Sequence, residues 1–375
     1  MKIVLSGGGT GGHVNPALAI AGTVKAHEPD SEISYIGTPK GIENKLVPLA
    51  GYPLYHVEIQ GLKRSISLSN LKTAWLTLTS VNKAKKLLLQ IGPDVVVGTG
   101  GYACWPVVKA AGELGIPTAL HESNAIPGFA VKMLEKDVNR IFINFEETKK
   151  ALKHPEKAER VGNPMRGAFE MQDRKAARRE LGIAGDTVCI LSYGGSMGAE
   201  QVNNEILAVM RDYTSKEPNV RHLHATGAIE WPIASVQFND MGLDKFPNLS
   251  LVEYIYNMPR EMAAADIVIC RAGAMTLSEL ALMKKACILI PSPNVADNHQ
   301  YKNAKVLADK GAALVFQESE LTEGKLAQAI RSLASDPGQR EKMADNISQF
   351  AVNDASERIY AGLSELINKT DFQKP

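Results

Sequence analysis

Short apolar, β-branched runs alternate along this chain with longer segments whose apolar residues recur at helical spacing. In the first half the strand-like runs are Lys2–Leu5, Glu32–Ile36, Asp94–Gly98, Thr118–Leu120 and Arg140–Asn144. In the second half they are Thr187–Tyr193, Val220–Ala225, Leu249–Glu253, Asp266–Cys270, Ala286–Ile290 and Ala312–Phe316. Apolar strands with helices between them predict βαβ units and parallel sheets covered on both faces. Two such series predict an α/β chain of two doubly wound domains. The turn formers Val161-Gly162-Asn163-Pro164 mark the boundary, ahead of a charged helical stretch over Arg174–Leu181. The expected division is 1–163, 164–345, and a C-terminal segment 346–375. Within that segment Ile359, Leu363, Leu366 and Ile367 share one face of a helix over Asp354–Asn368, which must dock, with the first domain the expected surface.

Each half opens with a strand and a glycine-rich turn. In the first, Ser6–His13, five of the eight residues are glycine. Asn15 is the expected cap of the next helix, with Pro16 in its first turn. Gly7, Gly9 and Gly12 fit G-x-G-x-x-G, but the second strand ends at Ile36-Gly37 without the acid that a dinucleotide ribose requires, which argues against a nicotinamide cofactor. Glycines still allow backbone N–H groups to face an anion at a helix N-terminus, and a bare turn needs fewer of them. The second turn, Tyr193–Ala199, lacks the Lys-Ser/Thr of a nucleotide-triphosphate loop but can cradle phosphate with main-chain donors and the Ser196 hydroxyl. Two further loops follow strands, Gly98–Tyr102 and Arg271–Glu279. Open α/β sheets bind ligands at this carboxyl edge, where Glu279, one turn into its helix, suits a diol.

Composition narrows the classes. With 375 residues, 45% hydrophobic and 22% charged, the chain has the globular balance and room for a large core. A net charge of +1 points away from a nucleic-acid partner. Residues 1–163 hold 19 Lys+Arg against 14 Asp+Glu, so the excess of +5 lies in the half expected near something anionic. Cys104, Cys189, Cys270 and Cys287 form no C-x-x-C pair and read as reduced structural thiols, and no zinc or other metal is expected. The N-terminal apolar run is too short for a signal segment, and no stretch reaches the 18 apolar residues of a membrane span.

These pieces together resemble the MurG family, the bacterial UDP-N-acetylglucosamine:lipid I N-acetylglucosaminyltransferases of peptidoglycan synthesis. The resemblance rests on Gly8-Gly9-Thr10-Gly11-Gly12-His13, His121-Glu122-Ser123-Asn124, Gly162-Asn163-Pro164-Met165-Arg166, the Gly-Gly-Ser loop, Arg271–Glu279 and Asp297-Asn298-His299-Gln300, in that order over nearly the whole chain. It implies a GT-B fold, two Rossmann-like domains facing across a cleft, with the last helix returning to the first domain. It also implies transfer of GlcNAc, with inversion, from UDP-GlcNAc to the C4 hydroxyl of MurNAc in lipid I, giving lipid II and UDP without a cofactor. Site residues follow from the same likeness. Ser196 is expected at the diphosphate, the Ile255 backbone at uracil, Ala274, Met275, Thr276, Leu277 and Ser278 along phosphate and ribose, Glu279 on the ribose hydroxyls and Gln300 on the sugar. Thr10, Gly11, Gly12, Asn124 and Arg166 complete the donor site. The family often has Gln-Gln where this chain has His299-Gln300, which leaves the role of His299 open.

An inverting transfer needs a base for the acceptor proton and stabilisation of the departing UDP. No Asp-x-Asp motif occupies a suitable loop, so helix N-termini and main-chain amides are expected to take the place of a metal. Two residues compete as base: His13, which titrates near neutrality, and Glu122. The window between Glu58 and Asp94 contains no acid but carries Lys63, Arg64, Lys72, Lys83, Lys85 and Lys86, with Leu71, Trp75 and Leu78 on one helical face. A basic, Trp-bearing surface fits an anionic membrane, and an amphipathic helix with its apolar face in the core is the competing reading. Membrane contact is expected at Lys63, Arg64, Lys72 and Trp75, on the cytoplasmic side of the cell membrane. That docking would turn Gly9, Gly100, Gly101 and Tyr102 toward a lipid pyrophosphate. A UDP-GlcNAc 2-epimerase shares the architecture but needs no such surface, and a non-catalytic recruiting subunit would release no UDP.

Overall fold

The computed structural model describes residues 1–59, 69–165, 169, 172–195, 197–321 and 324–371, with the backbone alone for 69–78 and 370–371. The chain divides into two compact units, Met1–Met165 with Asp354–Pro375, and Arg166–Asn353.

The first unit is built on seven strands: β1 Lys2–Ser6, β2 Glu32–Gly37, β3 Leu54–His56, β4 Val95–Gly98, β5 Thr118–Glu122, β6 Arg140–Ile143 and β7 Ala158–Arg160. Their order is β3-β2-β1-β4-β5-β6-β7, and every neighbouring pair is parallel. The second unit has β8 Val188–Tyr193, β9 Val220–Ala225, β10 Leu249–Val252, β11 Ile267–Cys270, β12 Ala286–Leu289 and β13 Leu314–Val315. These are also all parallel, in the order β10-β9-β8-β11-β12-β13. All eleven runs expected from the sequence form strands. β3 and β7 were not expected: each is a three-residue strand at a sheet edge, partly exposed, and carries no apolar run.

Strand direction and side-chain alternation explain the core. Ile3 and Leu5 of β1, with Val95 and Val97 of β4, face a cluster on one side of the first sheet, while Val4 and Val96 face the other. That period of two, buried on both faces, is what parallel strands between helix layers require. In the second unit Ile190, Ile267, Ile269 and Ile288 anchor the corresponding cluster.

In each sheet the chain winds outward in both directions from one central pair, β1 with β4 and β8 with β11. The loops leaving the carboxyl ends of such a pair diverge and open a crevice. All four glycine-bearing loops singled out in the sequence leave these strands: Ser6–His13 after β1, Gly98–Tyr102 after β4, Tyr193–Ala199 after β8 and Arg271–Glu279 after β11.

The last helix, Ala355–Asp371, packs on the first unit. Ile359, Leu363 and Leu366 join the cluster beneath β1 and β4. Gly362 lets the helix approach the sheet, because a Cβ there would stand 2.7 Å from the Phe142 ring. Tyr360 stacks on His27 at 4.1 Å and donates its hydroxyl to Glu28 at 2.7 Å, and Arg140 bonds Glu365 at 2.8 Å. Among the described residues no helix is long and apolar enough to cross a membrane.

Leu363 is fully buried. Leu363→Ala should therefore lower the urea-unfolding free energy by about 2–5 kcal/mol. A loss below ~1 kcal/mol would mean that the helix contributes little to the core it covers.

Candidate functional site

The helix after β1 runs Gly11–His27, with Thr10 at its cap position. It begins four residues earlier than the expected cap at Asn15, which is an exposed residue inside the helix. Pro16 accordingly lies in the second turn rather than the first. The reason is local: the His13 and Val14 N–H groups already bond the Thr10 carbonyl at 3.1 and 3.2 Å, so the glycines themselves are helical. The N–H groups of Gly11 and Gly12 precede that first bond and belong to the unpaired set every helix presents at its N-terminus.

His13 sits one residue further on. Its Nδ1 lies 3.0 Å from the Gly8 carbonyl. A carbonyl only accepts, so this bond places the ring proton on Nδ1 and leaves the lone pair on Nε2. The opposite wall of the ring is the backbone after β4. A Cβ at Gly100 would stand 2.8 Å from His13 Cδ2, and one at Gly101 would stand 2.3 Å from the Gly8 carbonyl oxygen. Both residues also have positive φ, 103° and 75°. Glycine is required at both on two counts. Thr99 donates its hydroxyl to the His13 carbonyl at 2.7 Å. The Tyr102 ring, 40% exposed, lies against Gly9. Gly9, His13, Gly100, Gly101 and Tyr102 thus come together at the centre of the first sheet edge. Burial lowers the His13 pKa below its ordinary value, against the opposing pull of the Gly8 carbonyl and the Glu43 charge, so the ring is neutral at pH 7.

Glu122, the rival base, is engaged differently. Its Oε1 accepts from the Asn124 main-chain N–H at 2.9 Å and side-chain Nδ2 at 3.0 Å, and its Oε2 accepts from the Gly128 N–H at 2.8 Å. A buried carboxylate holding three donors braces the loop after β5 and gives Asn124 its orientation. It is poorly placed to collect a proton from a substrate. Next to it His121 bonds the Gly162 carbonyl at 3.0 Å, and burial pushes its pKa down to about 4.

In the second unit the expected donor residues leave four strands at one sheet edge. The loop after β8 packs glycine against glycine: a Cβ at Gly198 would meet the Thr226 carbonyl oxygen at 2.4 Å, and one at Gly227 would meet the Gly198 nitrogen at 2.2 Å. Ile255 follows β10 and is buried between Tyr254 and Tyr256, which are 50% and 93% exposed. The helix Ala274–Leu282 follows β11 directly, with Gly273 at its cap position. Ala274 and Leu277 are buried, while Met275, Thr276, Ser278 and Glu279 are half-buried. Gln300 follows β12, and its Oε1 accepts from the Ser292 N–H at 2.9 Å. His299 bonds its Nδ1 to the Ala296 carbonyl at 2.8 Å. Lys63, Arg64, Arg166 and Ser196 lie outside the described residues. So do the side chains of Lys72 and Trp75, on the helix Ser69–Ile91.

Two buried polar groupings escaped the sequence reading. Beneath the β8 loop, Ser192 Oγ lies 2.8 Å from His222 Nε2 and 2.9 Å from His224 Nδ1, which also lies 3.1 Å from the Ser192 carbonyl, and His224 Nε2 lies 3.0 Å from Asn203 Oδ1. Asn203 Nδ2 donates to the Thr226 carbonyl at 3.1 Å, the group against which Gly198 packs. Burial lowers the pKa of both rings, so both histidines are neutral. Histidines two apart in a strand share a face, which was the available signal. The second is Glu43, fully buried, whose carboxylate accepts from the Gly9 N–H at 3.2 Å. It also takes the Thr38 N–H at 3.0 Å and the Thr38 hydroxyl at 2.7 Å. The Gly9 N–H is therefore engaged within the protein. A dinucleotide fold would carry its acid at the end of β2, whereas Glu43 stands in the helix Glu43–Leu49 beyond a turn that reads as surface.

Residues 3–143 match the glycosyltransferase family 28 N-terminal domain, and residues 187–359 match the family 28 C-terminal domain. The chain is thus a glycosyltransferase of that class. A Thermoanaerobacter sp. (strain X514) protein named UDP-N-acetylglucosamine–N-acetylmuramyl-(pentapeptide) pyrophosphoryl-undecaprenol N-acetylglucosamine transferase is 41% identical, over 96% of this chain and 98% of its own. A Ruminiclostridium cellulolyticum protein of the same name is 41% identical, over 98% of this chain and 100% of its own. Acinetobacter baumannii MurG superposes with a TM-score of 0.79 at 27% identity, over 97% of this chain and 99% of that one. The chain belongs to the MurG family of N-acetylglucosaminyltransferases. Neisseria meningitidis UDP-GlcNAc 2-epimerase, bound to UDP-GlcNAc, superposes with a TM-score of 0.66 at 16% identity and shares the fold alone.

The buried histidines set a pH dependence. Burial pushes the pKa of His121 and His224 down to about 4 and that of His222 down to about 3. In the unfolded chain each takes up a proton near pH 6.5, and in the fold it does not. Their contribution is therefore fully present above pH 6.5 and is lost as pH falls toward 4 and 3. Between pH 7 and 5 each ring should remove ~2 kcal/mol from the unfolding free energy. Urea unfolding of His224→Gln should show a correspondingly shallower fall over that interval. A slope equal to that of the unsubstituted protein would contradict the neutral-histidine assignment.

Proposed function

We propose that this chain transfers GlcNAc, with inversion, from UDP-GlcNAc to the C4 hydroxyl of MurNAc in lipid I, the undecaprenyl-pyrophosphoryl acceptor, giving lipid II and UDP. The observation that carries the reading is the His13 assembly: a neutral imidazole with its lone pair on Nε2, beside a helix N-terminus and walled by two obligatory glycines. Its counterpart is the second unit's edge, where the helix Ala274–Leu282 follows β11 with Gly273 at its cap position.

Each part has a task in the reaction. His13 Nε2 takes the acceptor hydroxyl proton as that oxygen bonds to the anomeric carbon and the bond from that carbon to the diphosphate breaks. UDP departs with the electron pair. The negative charge growing on it is met by the Ala274 helix N-terminus and by main-chain donors of the β8 loop, with Ser196 the expected residue at the diphosphate. Ile255 presents its backbone to uracil, Ala274–Ser278 follow the phosphate and ribose, Glu279 accepts the two ribose hydroxyls and Gln300 contacts the sugar. Thr10, Gly11, Gly12, Asn124 and Arg166 complete the donor site. Gly9, Gly100, Gly101 and Tyr102 shape the acceptor's pyrophosphate site. For Gly9 the contribution is shape, since its N–H is already bonded. Glu122 acts through Asn124 as a brace. The family relationship and the acid-free stretch between Glu58 and Asp94 support peripheral association with an anionic membrane on its cytoplasmic side.

Purified protein incubated with UDP-GlcNAc and a lipid I analogue should release UDP. No release by the isolated chain would overturn the proposal. His13→Ala should lower kcat by about 10²–10⁴ while leaving UDP affinity nearly unchanged. Unchanged turnover would remove His13 as the base.

A further inference from the structure

Glu43 is a charge with no evident reason to be buried. Its side chain is wholly inaccessible, and among the described residues no cation pairs with it. The fold makes room for it at three places: a Cβ at Gly8 would stand 2.6 Å from its carboxylate, one at Gly41 2.0 Å, and one at Gly37 2.7 Å from its Cγ. Two of these glycines lie in the β2 turn and one in the β1 turn. Taking a carboxylate out of water is costly unless it is fully hydrogen-bonded, and the three donors from Gly9 and Thr38 meet that need. Those bonds outweigh burial and keep the carboxyl below its ordinary pKa, hence ionised.

This anion lies directly beneath the turn that carries His13. It holds Gly9, four residues before the ring, and it packs on Gly8, whose carbonyl fixes the ring tautomer. The groups that face His13 are Gly8 and Thr10 of its own turn, the Gly100–Gly101 backbone, and the Glu43 charge. Nearby, Tyr35 donates to the Gly7 carbonyl at 2.8 Å and Cys104 is buried. Burial pushes the thiol up to about 12 and the phenol higher still, so both stay neutral over the working range. Among the described residues, Glu43 is then the charge that the His13 ring experiences.

We propose that Glu43 is a positioning residue for the transfer: its buried carboxylate sets the shape of the first glycine turn and stabilises the positive charge His13 acquires when it takes the acceptor proton. The proposal rests on the reading of His13 as base. No atom of Glu43 exchanges a proton in the step. The proton moves from the acceptor hydroxyl to Nε2 and is later lost to solvent.

The test is the pH profile of UDP release by the full chain with UDP-GlcNAc and a lipid I analogue, for Glu43→Gln. The substitution keeps the size and removes the charge. Expected are a fall in kcat of about tenfold or more, with a UDP-GlcNAc KM within about twofold. The acid limb of kcat/KM should also move to lower pH by roughly half to one unit, because a ring without its anion binds protons less readily. In a His13→Gln background the same substitution should cause no further loss, since the two act as one unit. An unmoved acid limb, or additive losses, would reduce Glu43 to a structural brace and overturn the proposal, leaving the base assignment intact. Full turnover in His13→Gln alone would instead remove the base reading. If Glu43→Gln does not fold, Glu43→Asp keeps the charge but shortens its reach. There a fall in kcat that disappears in a His13→Gln background supports the proposal, and an unchanged kcat or an additive loss contradicts it.

Discussion

The structure depends on one constraint: at the carboxyl edge of a parallel sheet, main-chain N–H groups meet an anion only where no Cβ intervenes. Gly100, Gly101, Gly198 and Gly227 are each placed where a side chain would collide with backbone or ring atoms within 3 Å, and each has positive φ. They are required by packing: in the first unit the close approach is between the loops after β1 and β4, and in the second between the loops after β8 and its neighbour β9. Removing a Cβ there permits the close crossing.

Beneath those loops both units bury polar groups, and they resolve the charge in opposite ways. Under the β8 loop, burial keeps two histidines neutral within a hydrogen-bonded network that reaches the Thr226 carbonyl. Under the β1 turn, a carboxylate is kept ionised by three donors. A neutral network steadies its loop without adding a field there. A buried anion adds one, which a base gaining a proton can use and a phosphate cannot.

The strands were legible because parallel sheets need strands apolar on both faces, and eleven such runs stand out. β3 and β7 were not, because edge strands of three residues bury too little to leave a pattern. The glycine turns were legible as sheet-edge loops, since five glycines in eight residues follow β1 directly. The start of the first helix was misread. Asn15 and Pro16 carry the local signals of a beginning, yet the His13 and Val14 N–H groups already bond the Thr10 carbonyl, which puts Gly11 and Gly12 in the helix. Glu122 and Glu43 show the limit of reading carboxylates from sequence. One sits in a conspicuous motif and the other in an unremarkable turn, yet each is buried and already holds three hydrogen-bond donors. Spacing reports which residues share an edge, but only coordinates report which hydrogen bonds are already made.

The central claim is that main-chain donors at the second sheet's carboxyl edge hold the donor's diphosphate. The most direct measurement is amide chemical-shift mapping of the full chain titrated with UDP. The amides of Gly194, Gly195, Met197 and Gly198, together with Gly273, Ala274 and Met275, should move most on saturation. If the largest shifts instead fell on Ser6–His13, or away from both sheet edges, the claim would be contradicted.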